Sequence, residues 1–180
     1  YASSPHLPMA SFAHGGRVIY VGSLSKIISP TLRLGFVAAD EQTIRQLARY
    51  RTLIDIHGDP LLENAVASLF ESGEIGRHLH RTLRVYRERR DQLAVRLKRF
   101  PEGTLSYRVP DGGMAYWLSL GRFPVQAVSA GLTKRGVVCG ARMQFGGDGF
   151  NHLRLGFASL TVEELDLLAD TLAEVINGDF

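Results

Sequence analysis

The feature that most restricts the fold is a long amphipathic stretch in the middle of the chain. From about Ile75 to Phe100, the apolar residues Leu79, Leu83, Tyr86, Leu93, Leu97 and Phe100 recur at intervals of three, four and seven, while Arg81, Arg84, Arg87, Glu88 and Asp91 occupy positions between them. An α-helix turns once in about 3.6 residues, so these intervals gather the apolar side chains on one face. A helix this long with one buried side needs structure packed along it. The sequence on its two sides differs in character, which divides the chain into residues 1–74, a connecting helix at 75–100, and residues 101–180.

Ahead of the helix, residues 1–16 are rich in Pro, Ser, His and Gly and read as irregular. RVIYV (17–21) and LGFVAAD (34–40) are short β-branched and aromatic runs, read as buried strands on either side of the loop GSLSKIISPTLR. Asp40 caps a helix through EQTIRQLARYR, and Asp59-Pro60 starts another that reaches about Ser72 and stops at Gly73. Beyond Pro101, the segments LSYRVPDGGMAYWLSL, RGVVCGARMQF and HLRLGFAS read as three strands, with a short helix in VQAVSAGLTKR. Met114, Tyr116 and Trp117 read mostly as core. Thr161 and Glu164 form a capping box ahead of a closing helix striped with Leu165, Leu168, Leu172 and Ile176. Mixed strands and helices make the chain α/β or α+β.

Composition narrows the class further. Of 180 residues, 45% are apolar and 22% charged, which excludes disordered and fibrous chains. No apolar run reaches the roughly 18 residues of a membrane span, and no secretory leader is visible, so a soluble cytoplasmic protein with no membrane partner is expected. The one cysteine, Cys139, excludes an intrachain disulfide and a multi-thiolate zinc site, and reads as a small buried residue. His78 and His80, two apart on a helix, point about 200° from each other and read as surface side chains; no metal site is expected. Gly146-Gly147-Asp148-Gly149 lacks the lysine and hydroxyl of a phosphate loop and reads as a turn.

The cations are unevenly divided. The net charge of +3 rests on arginine, since lysine occurs only at 26, 98 and 134. Lys26 lies between the apolar runs VIYVGSLS and IISPTLRLGFVAA. A lysine amine becomes nucleophilic when desolvation or neighbouring positive charge disfavours its ammonium form. Apolar flanks and Arg33, seven residues on, supply both ingredients, while Ser23 and Ser25 add hydroxyls and Gly22 permits close approach of backbone to a ligand. Two hydroxyls, a guanidinium and an amine suit a phosphorylated aldehyde. Ser23-Leu24-Ser25-Lys26 also fits the S-x-x-K pattern of penicillin-recognising acyl enzymes, but no S-D-N or K-T-G follows.

These residues carry a family resemblance. VIYVGSLSKIISPTLRLGFVA resembles the segment around the Schiff-base lysine of fold-type-I pyridoxal-phosphate aminotransferases. GEIGRHLHRTLRVYRERRDQL is similar to the interdomain helix of the MocR-type branch of the GntR regulators, and PDGGMAYWL and HLRLGFASLTVEEL resemble that family's C-terminal domain. The resemblance implies the end of a large cofactor domain (1–74), an interdomain helix (75–100) and a small α+β domain (101–180). It makes Lys26 the Schiff-base lysine and Ser23, Ser25 and Arg33 ligands of the cofactor phosphate. It also matches Arg154 to the arginine that grips a substrate carboxylate, and Tyr1 to the tyrosine that bonds the cofactor's ring hydroxyl. The cofactor implied for the complete protein is pyridoxal 5'-phosphate, the ligand an amino acid or 2-oxo acid, and the assembly a homodimer.

Departures from the family pattern shape the remaining expectations. Residues 1–16 hold no Asp or Glu, so the carboxylate that pairs with the pyridine nitrogen is not seen, nor is the winged-helix module through which a regulator of this branch would reach DNA. The chain is therefore expected to be a C-terminal fragment that alone binds the cofactor weakly and transaminates nothing measurable. Its parent is expected to be a regulator that senses or transaminates an amino compound through Lys26, or alternatively a plain amino-acid aminotransferase.

Overall fold

The structure is a computed structural model that describes residues 1, 7, 9–12, 18–139 and 151–178. Two compact units divide it, Ser3–Arg81 and Thr82–Phe180, the latter joined by Tyr1–Ala2.

In the first unit, β1 (Tyr20–Ser23) and β2 (Gly35–Ala38) pair antiparallel, Tyr20 opposite Ala38 and Ser23 opposite Gly35. Gly22, expected as a boundary, remains inside the strand: it faces Phe36, and a Cβ there would stand 2.4 Å from that ring. Arg17, the first residue of the expected strand, lies outside the described residues. The expectation that these strands are buried is not met. Val21 is 72% exposed, and Tyr20, Phe36 and Val37 are exposed too, although the Phe36 ring meets Phe70 edge-on at 6.2 Å.

Two helices follow, each capped as its sequence dictates. Asp40 accepts from Thr43 N at the start of α1 (Glu41–Asp55), and Asp59 accepts from Leu62 N at the start of α2 (Pro60–Glu71). Arg51 of α1 pairs with Glu63 of α2. Gly73, with φ +74°, turns the chain into α3 (Glu74–Leu97), which matches the amphipathic stretch read from sequence and ends before Pro101.

The second unit is built on a three-stranded antiparallel sheet in the order β3 (Ser106–Tyr107), β4 (Ala115–Ser119), β5 (His152–Gly156). Here the strands depart from expectation. Pro110 and Gly113, the latter at φ +79°, break the segment read as one strand into two. Val137–Cys139 form no strand, and the rest of RGVVCGARMQF, with Gly146–Gly149, lies outside the described residues. Alternation fixes which side is covered: Tyr116, Leu118, Leu153 and Leu155 are buried, while Trp117 and Arg154 point the other way and are exposed. The covered face joins Leu93 and Leu97 of α3, Val128 and Leu132 of α4 (Val125–Lys134), and Leu165 and Leu172 of α5 (Val162–Asn177) in one core. Thr161 and Glu164 close the capping box at α5. Arg96 ties α3 to α5 through Asp166 at 2.7 Å.

Candidate functional site

The Lys26 loop begins where the β1–β2 ladder ends. Leu24 N donates to Leu34 O at 2.9 Å, one step beyond the Ser23–Gly35 pair. The chain then turns on Leu24, whose carbonyl accepts from Ile27 N at 3.1 Å and Ile28 N at 2.8 Å. Leu24 is only 2% exposed, so its buried side chain anchors the turn while Lys26 faces outward. Ser29 accepts from Thr31 N to start a short 3₁₀ turn at Pro30–Leu32, which ends on Arg33 in the left-handed region at φ 49°, ψ 32°. Ladder and turns together bring Ser23, Ser25, Lys26 and Arg33 to one end of the hairpin.

The chemistry of this donor set fits a phosphorylated aldehyde. Ser23 Oγ accepts from Ser25 N at 3.4 Å, leaving its own hydrogen to donate elsewhere. Among the described residues neither Lys26 nor Arg33 has an ion-pair partner, and the stretch from Ser23 to Gly35 carries no carboxylate that would repel a phosphate. One expected ingredient is not realised: the apolar flanks do not close over Lys26, which is exposed while Ile27 and Ile28 are half-buried.

His78 shows what sequence reasoning missed. It is a surface residue, as expected, but its Nε2 reaches Ile27 O at 2.9 Å, 51 residues back. No local pattern marks such a pairing. His80 bonds to Gly76 O within α3, and among the described residues no cluster of His, Cys, Asp and Glu suits a metal.

In the second unit, Arg154 stands directly opposite Trp117 on the uncovered face of the sheet, and the His152 ring stacks on Trp117 with centroids 5.6 Å apart and planes 16° apart. Arg154 has no ion-pair partner among the described residues. A planar guanidinium beside an exposed indole can take a carboxylate bidentately with an apolar group alongside. Tyr1 belongs to this unit, not to the unit carrying Lys26. Its hydroxyl donates to Gly113 O at 2.7 Å, and Arg90 lies over its ring at 5.1 Å. Burial is the first cause that raises the Tyr1 phenol above its ordinary range, so it remains a proton donor.

Two further groups are inert. Burial pushes the Tyr116 phenol up to about 12, and it donates to Arg90 O at 2.8 Å. Burial likewise raises the Cys139 thiol to about 11, far from a reactive thiolate at neutral pH. Among the described residues no helix is long and apolar enough to cross a membrane.

Comparison with known proteins adds independent findings. The family model for aminotransferase class I and II matches residues 2–172. The chain is 29% identical to the uncharacterized HTH-type transcriptional regulator YisV of Bacillus subtilis over 97% of its own length and 36% of the relative's. It is 34% identical to the 2-aminoadipate transaminase of Thermus thermophilus, over 89% of this chain and 41% of that protein. Among solved structures, the α-aminoadipate aminotransferase LysN of Thermus thermophilus, complexed with N-(5'-phosphopyridoxyl)-L-leucine, superposes with a TM-score of 0.83 at 29% identity, over 98% of this chain and 47% of that one. The chain thus spans less than half the length of these proteins.

Proposed function

We propose, from the premise that this chain belongs to the aminotransferase class I and II family, that it is the C-terminal aminotransferase-like part of an HTH-type transcriptional regulator. In this reading the whole protein is cytoplasmic and dimeric, reaches DNA through a separate N-terminal module, and senses or transaminates an amino compound through Lys26. The observation that carries the proposal is the convergence of Ser23, Ser25, Lys26 and Arg33 at one end of the hairpin. Similarity to a regulator along 97% of the chain supports the assignment of its parent. The 34% identity to a transaminase favours a second reading, in which the parent is a plain amino-acid aminotransferase.

Each residue has a stated task. The Ser23 and Ser25 hydroxyls donate to phosphate oxygens, and Arg33 adds a charged, two-pronged grip. Pyridoxal phosphate, when bound, supplies an aldehyde and an electron-withdrawing ring that acidifies the Cα proton of an attached amino acid. Lys26 Nζ would hold the aldehyde and, once an incoming amine displaces it, would be free to take and return that proton. The ligand's carboxylate is assigned by the resemblance to Arg154, beside which Trp117 offers an apolar surface. Tyr1, matched by resemblance to a ring-hydroxyl ligand, already directs its proton to Gly113 O, leaving its oxygen as an acceptor.

The test is made on the full-length parent mixed with pyridoxal phosphate. An absorption band near the visible edge is expected in the wild type and lost in Lys26→Ala, and a band that survives the substitution would overturn the assignment. Turnover of an amino acid with a 2-oxo acid by the same protein separates enzyme from sensor.

A further inference from the structure

The peptide that follows Lys26 is held from a remote part of the sequence. His78 Nε2, in the second turn of α3, lies 2.9 Å from Ile27 O. A carbonyl oxygen only accepts, so Nε2 carries the hydrogen and the imidazole donates. Both residues belong to the unit Ser3–Arg81. The imidazole has a firm mount, because α3 is seated here by Ile75, which is only 5% exposed. His78 and Ile28 also line an open groove of about 350 Å³, so water competes for the same carbonyl.

The turn therefore has two anchors of different kinds. Buried Leu24 fixes its start, and Leu24 O accepts from Ile27 N and Ile28 N. On the far side of the lysine, the Ile27–Ile28 peptide is held by its N–H at Leu24 O, and His78 holds its oxygen as well. Lys26 is exposed, so no packing restrains its stem, and its direction is set by the backbone on either side. The bond to Ile27 O adds a restraint to that backbone beyond the two donated to Leu24 O.

We propose that His78 is a positioning residue for Lys26: by donating to Ile27 O it holds the turn in the conformation that directs the amine. The inference rests on reading Lys26 as the reactive amine, and it assigns His78 no contact with ligand.

The 180-residue chain carries its own controls, since its other lysines are Lys98 and Lys134. Two measurements are made on the wild type and on His78→Ala, His78→Phe and His78→Gln. The first is hydrogen exchange of the Ile27 and Ile28 amides. The second is labelling by pyridoxal phosphate with borohydride reduction, scored by peptide mass as Lys26 relative to Lys98 and Lys134. Losing one hydrogen bond should raise exchange at Ile27 and Ile28 by about three- to tenfold in the Ala and Phe variants, and lower relative labelling of Lys26 by a comparable factor. Gln keeps an N–H donor and should restore both. Unaltered exchange in the β1–β2 ladder and in α2 of each variant verifies that the fold of this unit is intact. Exchange at Ile27 and Ile28 that stays at the wild-type rate in Ala and Phe overturns the proposal, and so does an unchanged labelling ratio. Should the wild type label its three lysines alike, the isolated chain does not favour Lys26, and the exchange rates alone decide whether His78 holds the turn.

Discussion

Apolar side chains meet different fates on the two sides of Arg81. In the unit from Thr82 onward, Leu118, Val128, Leu132, Phe157, Leu165 and Leu172 are 0% exposed and share one core. In Ser3–Arg81, the described apolar residues that reach comparable burial are Leu24, Val66 and Ile75, whereas Val21, Leu53, Ile54 and Leu61 are 72 to 83% exposed. Local signals are equally good in both: Asp40 and Asp59 cap α1 and α2 as competently as Thr161 caps α5. Caps and propensity define where elements begin and end, but burial decides which elements stabilise one another. A two-stranded ladder with both faces exposed is marginal in isolation. The three-stranded sheet under three helices is not.

The largest test of this contrast is Leu118→Ala, which should cost about 3 kcal/mol in denaturant unfolding because it empties a sealed position. Leu53→Ala, on exposed α1, should stay within about 0.5 kcal/mol; equal losses at the two sites would break the comparison. Two glycines sharpen it. A Cβ at Gly131 would meet Val175 Cγ1 at 2.8 Å where α4 approaches α5, so Gly131→Ala should destabilise by about 1–2 kcal/mol despite its better helix propensity. At Gly76, where nothing lies within 4 Å, the same change in α3 should stabilise by about 0.5 kcal/mol, read as a rise in melting temperature. The smallest effect is at Asp166, whose carboxyl is lowered chiefly by its hydrogen bond from Arg96. A depressed folded pKa contributes stability above the ordinary Asp range, and that contribution is lost as pH falls through the folded value. Asp166→Asn should therefore lower the melting temperature at neutral pH, with the gap to wild type closing in acid. A constant gap would show that the ion pair is not its source.

Much of the fold was legible because its signals are local. The stripe from Leu79 to Leu97, the Asp40 and Asp59 caps and the Thr161–Glu164 box each lie within a few residues of the structure they specify. Less legible was whatever depends on a distant partner. Gly22 reads as a boundary until Phe36 is placed across from it, and nothing near Tyr1 in the sequence points to Gly113 O as the acceptor of its proton. The candidate site divides along the same line. Ser23, Ser25, Lys26 and Arg33 share one hairpin end, so their gathering follows from one loop. That Trp117 stands beside Arg154, or that His78 reaches Ile27, depends on strand register and tertiary packing that periodicity does not carry.

Arg33 adopts a left-handed backbone, φ 49°, that glycine would occupy with less strain. The hairpin could be closed there by a residue without a side chain, so architecture alone gives no preference for a guanidinium. Protein engineering that optimises this turn for robustness alone would drift toward glycine and, in doing so, remove the guanidinium proposed here as a phosphate ligand.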